Sequence, residues 1–312
     1  MKIYVIIVTY NGAPWIKGVL DSLRASDTPC TAVVVDNASS DDTVAIVQRD
    51  YPEAVLLAQQ QNHGFGVGNN IGISLALTQG ADYIFLLNQD AFVTPAALGQ
   101  LAGFLEQQPS YGLVTPLHCR ADLQSHDPQT QKGYLQHFAR DYLSDACFGL
   151  VKPFYDIRGI NAAAWMVRSD VFRQVGGFDP LFFMYGEDDD LINRFAYLQQ
   201  RFALLPASRV VHLRARSARP PVSLPRQLWA MSERARSDLM LDMKNPAGQA
   251  GGKLLRLFAA GLLVPLANLL ASHDWKTTCA YWLATSRVLL RCPTILRHAR
   301  ICGQRGPHFL DV

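Results

Sequence analysis

The chain has 312 residues, of which 49% are hydrophobic and 18% charged. That composition excludes a disordered protein, and the length suits one large domain or two. Residues 1–200 carry 12 Lys/Arg and 21 Asp/Glu, whereas residues 201–312 carry 17 and 5, so an acidic body precedes a basic C-terminal region. The six cysteines form no C-x-x-C pair and no secretory signal precedes the first apolar run, which favours a reducing, cytosolic setting.

Short β-branched runs alternate with helical patterns over the first 115 residues. Strands are predicted at KIYVIIVTY, TAVVVD, AVLLAQ and YIFLLN, with helices near residues 13–25, 42–49 and 66–78 between them. Continuous apolar strands joined by helices predict an α/β fold with a parallel sheet covered on both faces. Ligands of such sheets bind outside the carboxyl ends of the strands.

Polar residues follow three of these strands and are the first candidates for a ligand site. They are Thr9, Tyr10 and Asn11 after the first strand, Asp36 and Asn37 after the second, and Asn88, Gln89 and Asp90 after the fourth. Asn88 and Asp90 alternate to the same side of the chain, which suits a hard divalent cation and the phosphates that it bridges. The alternative is an ordinary turn with Asp90 as a helix cap.

The glycine-rich segment NHGFGVGNNIGI differs from the dinucleotide-binding fingerprint. It follows the third strand rather than the first, and no suitable acid lies downstream, which disfavours a nicotinamide-dependent dehydrogenase. Glycines that open a helix still allow a close approach of backbone to a nucleotide or sugar, so Gly66 and Asn69 are candidate contacts.

The middle of the chain contains a polar segment and a candidate boundary. Residues 117–156 are predicted to form a long loop over a site, with His118, Cys119 and His126 as surface residues because their spacing does not suit zinc. The Pro- and Arg-rich segment after His212 indicates a boundary, which divides the chain into domains 1–220 and 221–312.

Four consecutive acids occur in the segment MYGEDDDLINRF. A helix that begins near Glu187 would place Asp188 on its apolar face and Asp190 one turn before Arg194. Partial desolvation would raise the pKa of Asp188 and make it a candidate general base. The alternative is a simple acidic helix N-terminus, where the macrodipole favours each carboxylate by roughly 0.3–1 kcal/mol.

Taken together, six segments resemble family 2 glycosyltransferases, in particular their rhamnosyltransferase-like members. They are VIIVTYN, VVVDNASSDDT, NHGFGVGNNIGI, LLNQDAFV, GGFDPLFFMYGEDDDLINR and VVHLRARS, in this order, within about residues 1–217. The resemblance implies a GT-A type nucleotide-diphospho-sugar transferase fold, with a Rossmann-like, mostly parallel sheet. A C-terminal helical extension is expected to follow. The resemblance also implies transfer with inversion of the anomeric configuration.

The resemblance assigns a role to each matching position. It implies that Asp36 holds the nucleoside, with Thr9, Tyr10 and Asn11 beside the base. The remaining predicted nucleotide-sugar contacts are Asn37, Gly66, Asn69, Asn88, Gln89 and Asp90. Asp188 matches the catalytic base, which would remove the proton from a hydroxyl of the acceptor molecule.

The metal and acceptor positions follow in the same way. Asp90 and His212 match metal ligands of the family, so Mg²⁺ or Mn²⁺ is the expected cofactor. Asn88 departs from the pattern because it replaces the first acid of an Asp-x-Asp motif and removes one negative charge; Gln89 stands where many relatives have proline. Trp165 and Glu187 are candidate acceptor contacts, with burial in the core and helix capping as the respective alternatives.

The resemblance favours dTDP-rhamnose as donor, with a UDP- or GDP-sugar as the alternative, and a lipid-linked or surface-polysaccharide acceptor. A different class of function is a non-catalytic nucleotide-sugar or glycan-binding protein on the same fold, in which Asn88 marks a weakened metal site. A nucleotidyltransferase is a more distant alternative.

The C-terminal region combines apolar and basic residues. The run LFAAGLLVPLA, residues 257–267, is shorter than the about 20 residues that span a bilayer. Apolar anchors with arginines suit a helix on an anionic membrane surface, and packing on the body or homo-oligomerisation is the alternative. A nucleic-acid partner is not expected because no such motif occurs. The expected location is cytoplasmic, peripheral on the inner face of the cell membrane.

Overall fold

The computed structural model of the protein describes residues 1–214, 223–246 and 250–311. Within these residues nine strands form one mixed sheet. The strands are β1 (Ile3–Thr9), β2 (Thr31–Asp36), β3 (Val55–Ala58), β4 (Tyr83–Leu87), β5 (Ala91–Val93), β6 (Tyr111–Cys119), β7 (Tyr155–Ile157), β8 (Ala164–Arg168) and β9 (Arg201–His212). Their order in the sheet is β3-β2-β1-β4-β8-β6-β9-β5, with β7 paired to β9.

Helices cover both faces of the sheet and form the C-terminal region. In the body they are α1 (Ala13–Arg24), α2 (Thr43–Asp50), α3 (Phe65–Thr78), α4 (Ala97–Gln107), α5 (Pro128–Thr130), a π-helical turn (Gln131–Leu135), α6 (Gln136–Phe138), α7 (Arg140–Cys147), α8 (Ser169–Val175) and α9 (Glu187–Tyr197). In the C-terminal region they are α10 (Leu224–Lys244), α11 (Ala250–Phe258), a second π-helical turn (Ala259–Leu263), α12 (Val264–Ser272), α13 (Trp275–Leu290) and α14 (Cys292–Cys302).

The first half of the sheet is parallel, as the sequence predicted. β1 pairs in parallel with β2 and β4, and β2 with β3, so that Thr9 and Asp36 are neighbours at one edge. Buried aliphatic side chains fill both faces of these strands, because helices cover each face. The carboxyl ends of β1, β2 and β4 therefore meet at the edge where ligands of such sheets bind.

Two later strands bring further residues to this same edge. β8 runs antiparallel to β4, so that its first residue, Ala164, lies opposite Leu87. β9 ends at His212, which pairs with Ala91 of β5. The edge thus combines segments that are more than 100 residues apart in sequence.

Residues 117–156 are more ordered than the predicted loop. β6 extends to Cys119, and the helices from α5 to α7 follow. His118 and Cys119 are buried, so the prediction that they are surface residues was wrong; His126 is half-buried. The reason is that β6 continues three residues into the segment. The His118 ring there lies between the hydroxyls of Thr115 (3.4 Å) and Thr130 (3.3 Å).

The C-terminal region is helical, as expected, and packs on the body. The predicted boundary at residues 220–221 lies outside the described residues. The Asn70 side-chain amide donates to the Phe309 carbonyl (2.8 Å), and the Gly177 backbone amide donates to the His308 carbonyl (2.8 Å). The chain end therefore contacts α3 and the segment before α9.

One helix in this region is longer than the sequence analysis expected. Within the described part of the chain, residues 252–272 form a helical stretch of 21 residues with a mean hydropathy of 1.9 and little burial. By length and composition this stretch is able to cross a membrane, a property that it shares with core helices of some soluble proteins.

A buried ionic cluster joins the C-terminal region to α9. The Lys244 ammonium lies 2.5 Å from an oxygen of Asp179 and 2.6 Å from one of Asp190. Asp190 also pairs with Arg194 (3.0 Å), which confirms the pair expected from the sequence, and His298 lies 2.9 Å from Asp179. Burial alone would lower the pKa of Lys244, but the two carboxylates outweigh it and raise that pKa. The Lys244 ammonium therefore neutralises part of the charge of Asp179 and Asp190.

We expect Lys244→Met to destabilise the protein by about 3–5 kcal/mol, because it leaves two buried carboxylates short of a partner. Urea unfolding at pH 7 measures the change. Lys17→Met is the matched control: its side chain is 62% exposed and 3.8 Å from Asp50, so a loss below about 1 kcal/mol is expected. Equal losses in both variants would contradict a stabilising role for the cluster.

Candidate active site

The loops after β1 and β2 hold one another at the site edge. The buried Asp36 carboxylate accepts from the backbone amide (2.9 Å) and hydroxyl (2.5 Å) of Ser39. The Ser39 hydroxyl in turn accepts from the Asn11 amide (2.8 Å), and the Asn11 side chain accepts from the Ser40 amide (2.9 Å). Asn11 has a positive φ of 51°, a conformation that Asn tolerates well. Asp36 therefore orders the loop in which the predicted nucleoside contacts lie.

Gln89 ties the end of β4 to the end of β1. Its side-chain oxygen accepts from the Thr9 hydroxyl (2.8 Å) and from the Tyr10 amide (2.9 Å). A Cβ at Gly12 would collide with the Thr9 hydroxyl and approach Gln89, so glycine is required there. Thr9 is fully buried whereas Tyr10 is 49% exposed, so Tyr10 offers the accessible ring at this edge.

The glycine-rich helix start serves packing. A Cβ on Gly66 would lie 2.8 Å from the Phe178 side chain, so its lack of a side chain lets α3 approach the core. Asn69 is buried and donates to the Phe65 carbonyl (3.0 Å). This packing gives a further reason for glycine at this position, and the ligand contact of Gly66 stays a prediction. Asn37 is also buried and donates to the Gly64 carbonyl (3.0 Å).

Trp165 does not reach the site. It is fully buried within β8 and belongs to the core. The prediction that its ring stacks on a sugar is therefore wrong, and the alternative of core burial holds. The physical reason is the antiparallel pairing of β8 with β4, which places Trp165 opposite Leu86 in the middle of the sheet.

Three polar residues converge at the ends of β4 and β9. The His212 ring nitrogen Nε2 lies 3.4 Å from Asp90 Oδ1 and 3.5 Å from the Asn88 side-chain nitrogen. Burial alone would lower the pKa of His212, but the carboxylates of Asp127 and Asp90 outweigh burial and raise it. The two carboxylates therefore favour a positive charge at the His212 ring.

Asp127 is a site residue that the sequence analysis missed. Its carboxylate lies 3.6 Å from His212 Nδ1 and 2.5 Å from Arg214 Nε, and it accepts from Thr130 (2.8 Å). Burial would raise the pKa of Asp127, but these contacts hold it well below its usual range. The sequence signal was an Asp-Pro helix start, since Asp127 caps α5 through the Gln129 amide (3.3 Å). That signal carries no information about His212.

The acidic helix begins after two residues with positive φ, Tyr185 (72°) and Gly186 (84°). Glu187 is only 7% exposed, whereas Asp188 is half-buried and borders a cleft. Burial is the main cause that raises the pKa of Asp188 to about 6, and the negative charge of Asp189 adds to it. This is the direction expected from the sequence. Burial, then Asp188, raises the pKa of Glu187 to about 8.

Two consecutive residues, Ala162 and Ala163, connect the polar residues at the end of β4 to the acidic start of α9. The Asn88 amide donates to the Ala163 carbonyl (3.0 Å), and the Ala162 amide lies 3.4 Å from Asp188 Oδ2. Since consecutive Cα atoms are about 3.8 Å apart, the Asn88 backbone and the Asp188 carboxylate are held close to one another through Ala162 and Ala163. The structure thus brings these two predicted parts of the site together.

A cleft of about 330 Å³ adjoins Asp188, and the C-terminal region contributes to its wall. Its lining is Tyr134, Tyr185, Gly186, Glu187, Asp188, Asp189, Arg234, Ser237 and Asp238. Arg234 lies 4.9 Å from the centre of the Tyr185 ring and is the cation among these lining residues. Tyr134 and Arg234 had no signal in the sequence, because they lie outside the resembling segments.

Comparison with known families agrees with this geometry. The family model described as glycosyl transferase family 2 matches residues 4–176, and one described as the N-terminal domain of galactosyltransferase matches residues 142–216. Because the first match covers more than half of the chain, the protein belongs to glycosyltransferase family 2. Within that family it is rhamnosyltransferase-like.

Two relatives support that statement. The chain is 26% identical to an N-acetylglucosaminyl-diphospho-decaprenol L-rhamnosyltransferase of Mycobacterium tuberculosis over 248 residues, which cover 70% of this chain and 78% of the relative. It is 31% identical to the dTDP-rhamnosyl transferase RfbF of Shigella flexneri over 215 residues, which cover 68% of this chain and 69% of the relative.

A solved structure supports the fold. The mannosyltransferase PcManGT of Pyrobaculum calidifontis, in complex with GDP-Man and Mn²⁺, superimposes with a TM-score of 0.55 over 92% of this chain and 86% of its own. At 19% identity, this likeness concerns the fold alone. The predicted GT-A fold with a C-terminal helical region is confirmed.

The raised pKa of Glu187 leads to a prediction about stability. The folded state holds this proton up to about pH 8, whereas the ordinary carboxyl releases it near 4.5. The contribution of the protonated Glu187 to the free energy of unfolding is therefore complete below about pH 4.5. It is lost as the pH rises through about 8, by at most about 1.4 kcal/mol per pH unit.

Glu187→Gln is uncharged at every pH, so its free energy of unfolding should gain on that of the wild type as the pH rises. Urea unfolding of both proteins at pH 5.5 and pH 8.5 measures the difference. A difference that stays constant between the two pH values would show that Glu187 titrates normally.

Proposed function

We propose that the protein is a metal-dependent, inverting glycosyltransferase that moves a sugar from a nucleotide-diphospho-sugar to a hydroxyl of a lipid-linked or surface-polysaccharide acceptor. Rhamnose from dTDP-rhamnose is the proposed donor sugar. Its support is the similarity to two rhamnosyltransferases, one of which is named for this nucleotide sugar. The observation that carries the proposal is the junction at Ala162 and Ala163, which joins the strand-end polar cluster to Asp188.

Asp188 suits the role of general base. A pKa of about 6 leaves it mostly ionised at neutral pH while making it a stronger base than an ordinary aspartate. It would take the proton of the acceptor hydroxyl as that oxygen attacks the anomeric carbon. Glu187, with a pKa of about 8, keeps its proton at pH 7 and can donate a hydrogen bond to the acceptor sugar. Attack opposite the leaving diphosphate inverts the anomeric centre.

The residues at the ends of β4 and β9 fit a divalent cation. Asp90 and His212 offer an oxygen and a nitrogen, and Asn88 offers an amide oxygen if its side chain is turned about. Asp127 on the other ring nitrogen would keep Nε2 available as a ligand, an arrangement common around metal-bound histidines. A bound Mg²⁺ or Mn²⁺ would supply positive charge to the leaving nucleoside diphosphate.

The donor and acceptor lie on two sides of this junction in the proposal. The nucleoside is assigned to the loops after β1 and β2, where Tyr10 is exposed and Asp36 orders the backbone. The acceptor is assigned to the cleft beside Asp188, where Arg234 suits an anionic group such as a lipid diphosphate. Association with the inner face of the cell membrane would bring a lipid-linked acceptor to that cleft.

We expect Asp188→Asn to reduce transfer by at least about 1000-fold while it leaves binding of the nucleotide sugar near the wild-type value, since the base acts on the acceptor. Release of nucleoside diphosphate with dTDP-rhamnose, acceptor and Mn²⁺ measures transfer. In the wild type, kcat/KM should rise with pH through about 6 as Asp188 ionises.

The matched control is Asp170→Asn, an exposed carboxylate at the start of α8, for which unchanged transfer is expected. Full activity of Asp188→Asn would rule out the base. If the wild type binds the donor but transfers to none of the acceptors offered, the non-catalytic binding protein becomes the better account.

The metal proposal is tested by direct binding. Titration calorimetry with Mn²⁺ in the presence of the nucleoside diphosphate should show binding to the wild type and its loss in His212→Ala. Asp127→Asn keeps the ligand but not its orienting carboxylate, so an affinity lower by about 10–100-fold is expected. The exposed His137 provides the control His137→Ala, which should bind normally. Wild-type affinity in His212→Ala would contradict this assignment.

A further inference from the structure

Residues 252–272, which span most of α11, the second π-helical turn and α12, bury a narrow face with only one large apolar side chain. This face is a single ridge, spaced by four residues and formed by Lys253, Leu257, Gly261 and Pro265. Large apolar side chains lie on the rest of the helical surface. The exposed ones are Leu254 (46%), Leu255 (73%), Phe258 (45%), Leu263 (64%), Val264 (54%), Leu266 (40%) and Leu270 (74%). The helix thus presents to the outside the residues that a soluble helix normally buries.

α13 extends this apolar surface. The Thr278 hydroxyl donates to the Pro265 carbonyl (2.9 Å), and the Thr285 hydroxyl donates to the Gly261 carbonyl (3.1 Å). These contacts hold α13 antiparallel to the preceding helix, and we call residues 252–290 the C-terminal hairpin. On its outer side α13 exposes Trp282 (41%), Leu283 (46%), Leu289 (37%) and Leu290 (83%), and Trp275 (47%) lies at the hairpin turn.

Basic residues stand directly beside these apolar ones. Residues 250–311 carry eight Lys/Arg and two Asp/Glu. Arg256 follows Leu255, Lys276 follows Trp275, and Arg291 follows Leu290, and all three are exposed. Arg256 also pairs with the half-exposed Asp242 (3.0 Å). Adjacent apolar anchors, tryptophan and cations are the composition of segments that lie in the interface of an anionic bilayer.

We infer that the C-terminal hairpin docks on an anionic phospholipid surface, with its helices in the plane of the membrane. Charge complementarity favours this occupant over a second copy of the chain. The hairpin carries four Lys/Arg and one Asp, and four more arginines follow it, so two copies would bring positive surfaces together. The threonine contacts with α13, and the contact of Lys253 with the Asn245 carbonyl (3.0 Å), hold the helix against its neighbours. They favour an in-plane arrangement over a span.

The docking surface and the cleft share one helix. α10 packs on α13 through buried residues such as Ala235 and Leu239, and it lines the cleft beside Asp188 with Arg234 and Asp238. A helix with its side chains is about 10–12 Å across, so the cleft lies within a few such widths of the docked surface. The use of this proximity for a lipid-linked acceptor rests on the proposed function, whereas the docking itself does not.

Flotation of the full chain with vesicles tests the inference without any sugar donor. We expect binding to phosphatidylcholine vesicles that contain 30% phosphatidylglycerol, and at least about ten-fold weaker binding to pure phosphatidylcholine or in 0.5 M NaCl. Changing Leu255, Leu270 and Leu290 to Ser together should weaken binding by about 100-fold, because these are among the most exposed anchors. Their exposure means that folding should be kept, which circular dichroism checks.

The matched control changes three apolar residues that are exposed elsewhere, Phe148 (77%), Leu150 (68%) and Val151 (47%), to Ser, and it should float like the wild type. Wild-type flotation of the leucine variant would overturn the inference. So would a dimer in light scattering that the leucine changes dissociate while the wild type ignores vesicles, since the occupant would then be a second copy. Resistance of bound protein to alkaline carbonate would show a span instead of in-plane docking.

If the protein docks but never transfers sugar, the proposed function fails and the docking inference stands. If it transfers sugar to a soluble acceptor analogue but ignores vesicles, the reverse holds. The two failures are therefore distinguishable.

Discussion

The antiparallel pairing of β8 with β4 is the constraint on which the site depends. Parallel strands alone would gather the nucleotide-side loops, but they would leave the acidic helix unplaced. Because Ala164 pairs with Leu87, the two residues before β8 lie at the carboxyl end of β4 and meet both Asn88 and Asp188. The register of this one strand pair thus sets how far the polar residues at the end of β4 lie from Asp188, the proposed base. A slip of one residue would turn the side chains of β8 to the other face of the sheet.

A second constraint is the buried Lys244. It carries the charge of the last turn of α10 into contact with Asp190 on α9 and with Asp179 on the preceding segment. An ion pair with such burial is costly to form and very costly to leave incomplete, so its main effect is to fix α10 relative to α9. That fixed relation places Arg234 and Asp238 of α10 in the wall of the Asp188 cleft. The C-terminal region therefore contributes to the wall of the cleft beside Asp188.

The sequence predicted what short-range periodicity and motif order can encode. The parallel strands, the polar residues at their ends and the start of α9 at Glu187 followed from local patterns. The contact of Asp127 with His212 did not, because only the sheet brings segments so distant in sequence together. Trp165 was ambiguous for a related reason: whether its ring faces a ligand or the core depends on the strand paired beside it, which the sequence does not give. The exposed leucines of the hairpin were likewise undecided until their neighbours were known.

The four consecutive acids lie in different environments, and three of them are buried or half-buried. Asp190 is neutralised by Lys244 and Arg194, so it adds little charge to the helix start. Glu187 is buried and keeps its proton near neutral pH, which removes a second charge. Asp188 is left with a raised pKa because burial and Asp189 oppose its ionisation, while the helix N-terminus favours the ionised form. Concentrating acids at this place thus produces one basic carboxylate beside one protonated carboxyl, a pair suited to accept one proton and to hold the group that gives it.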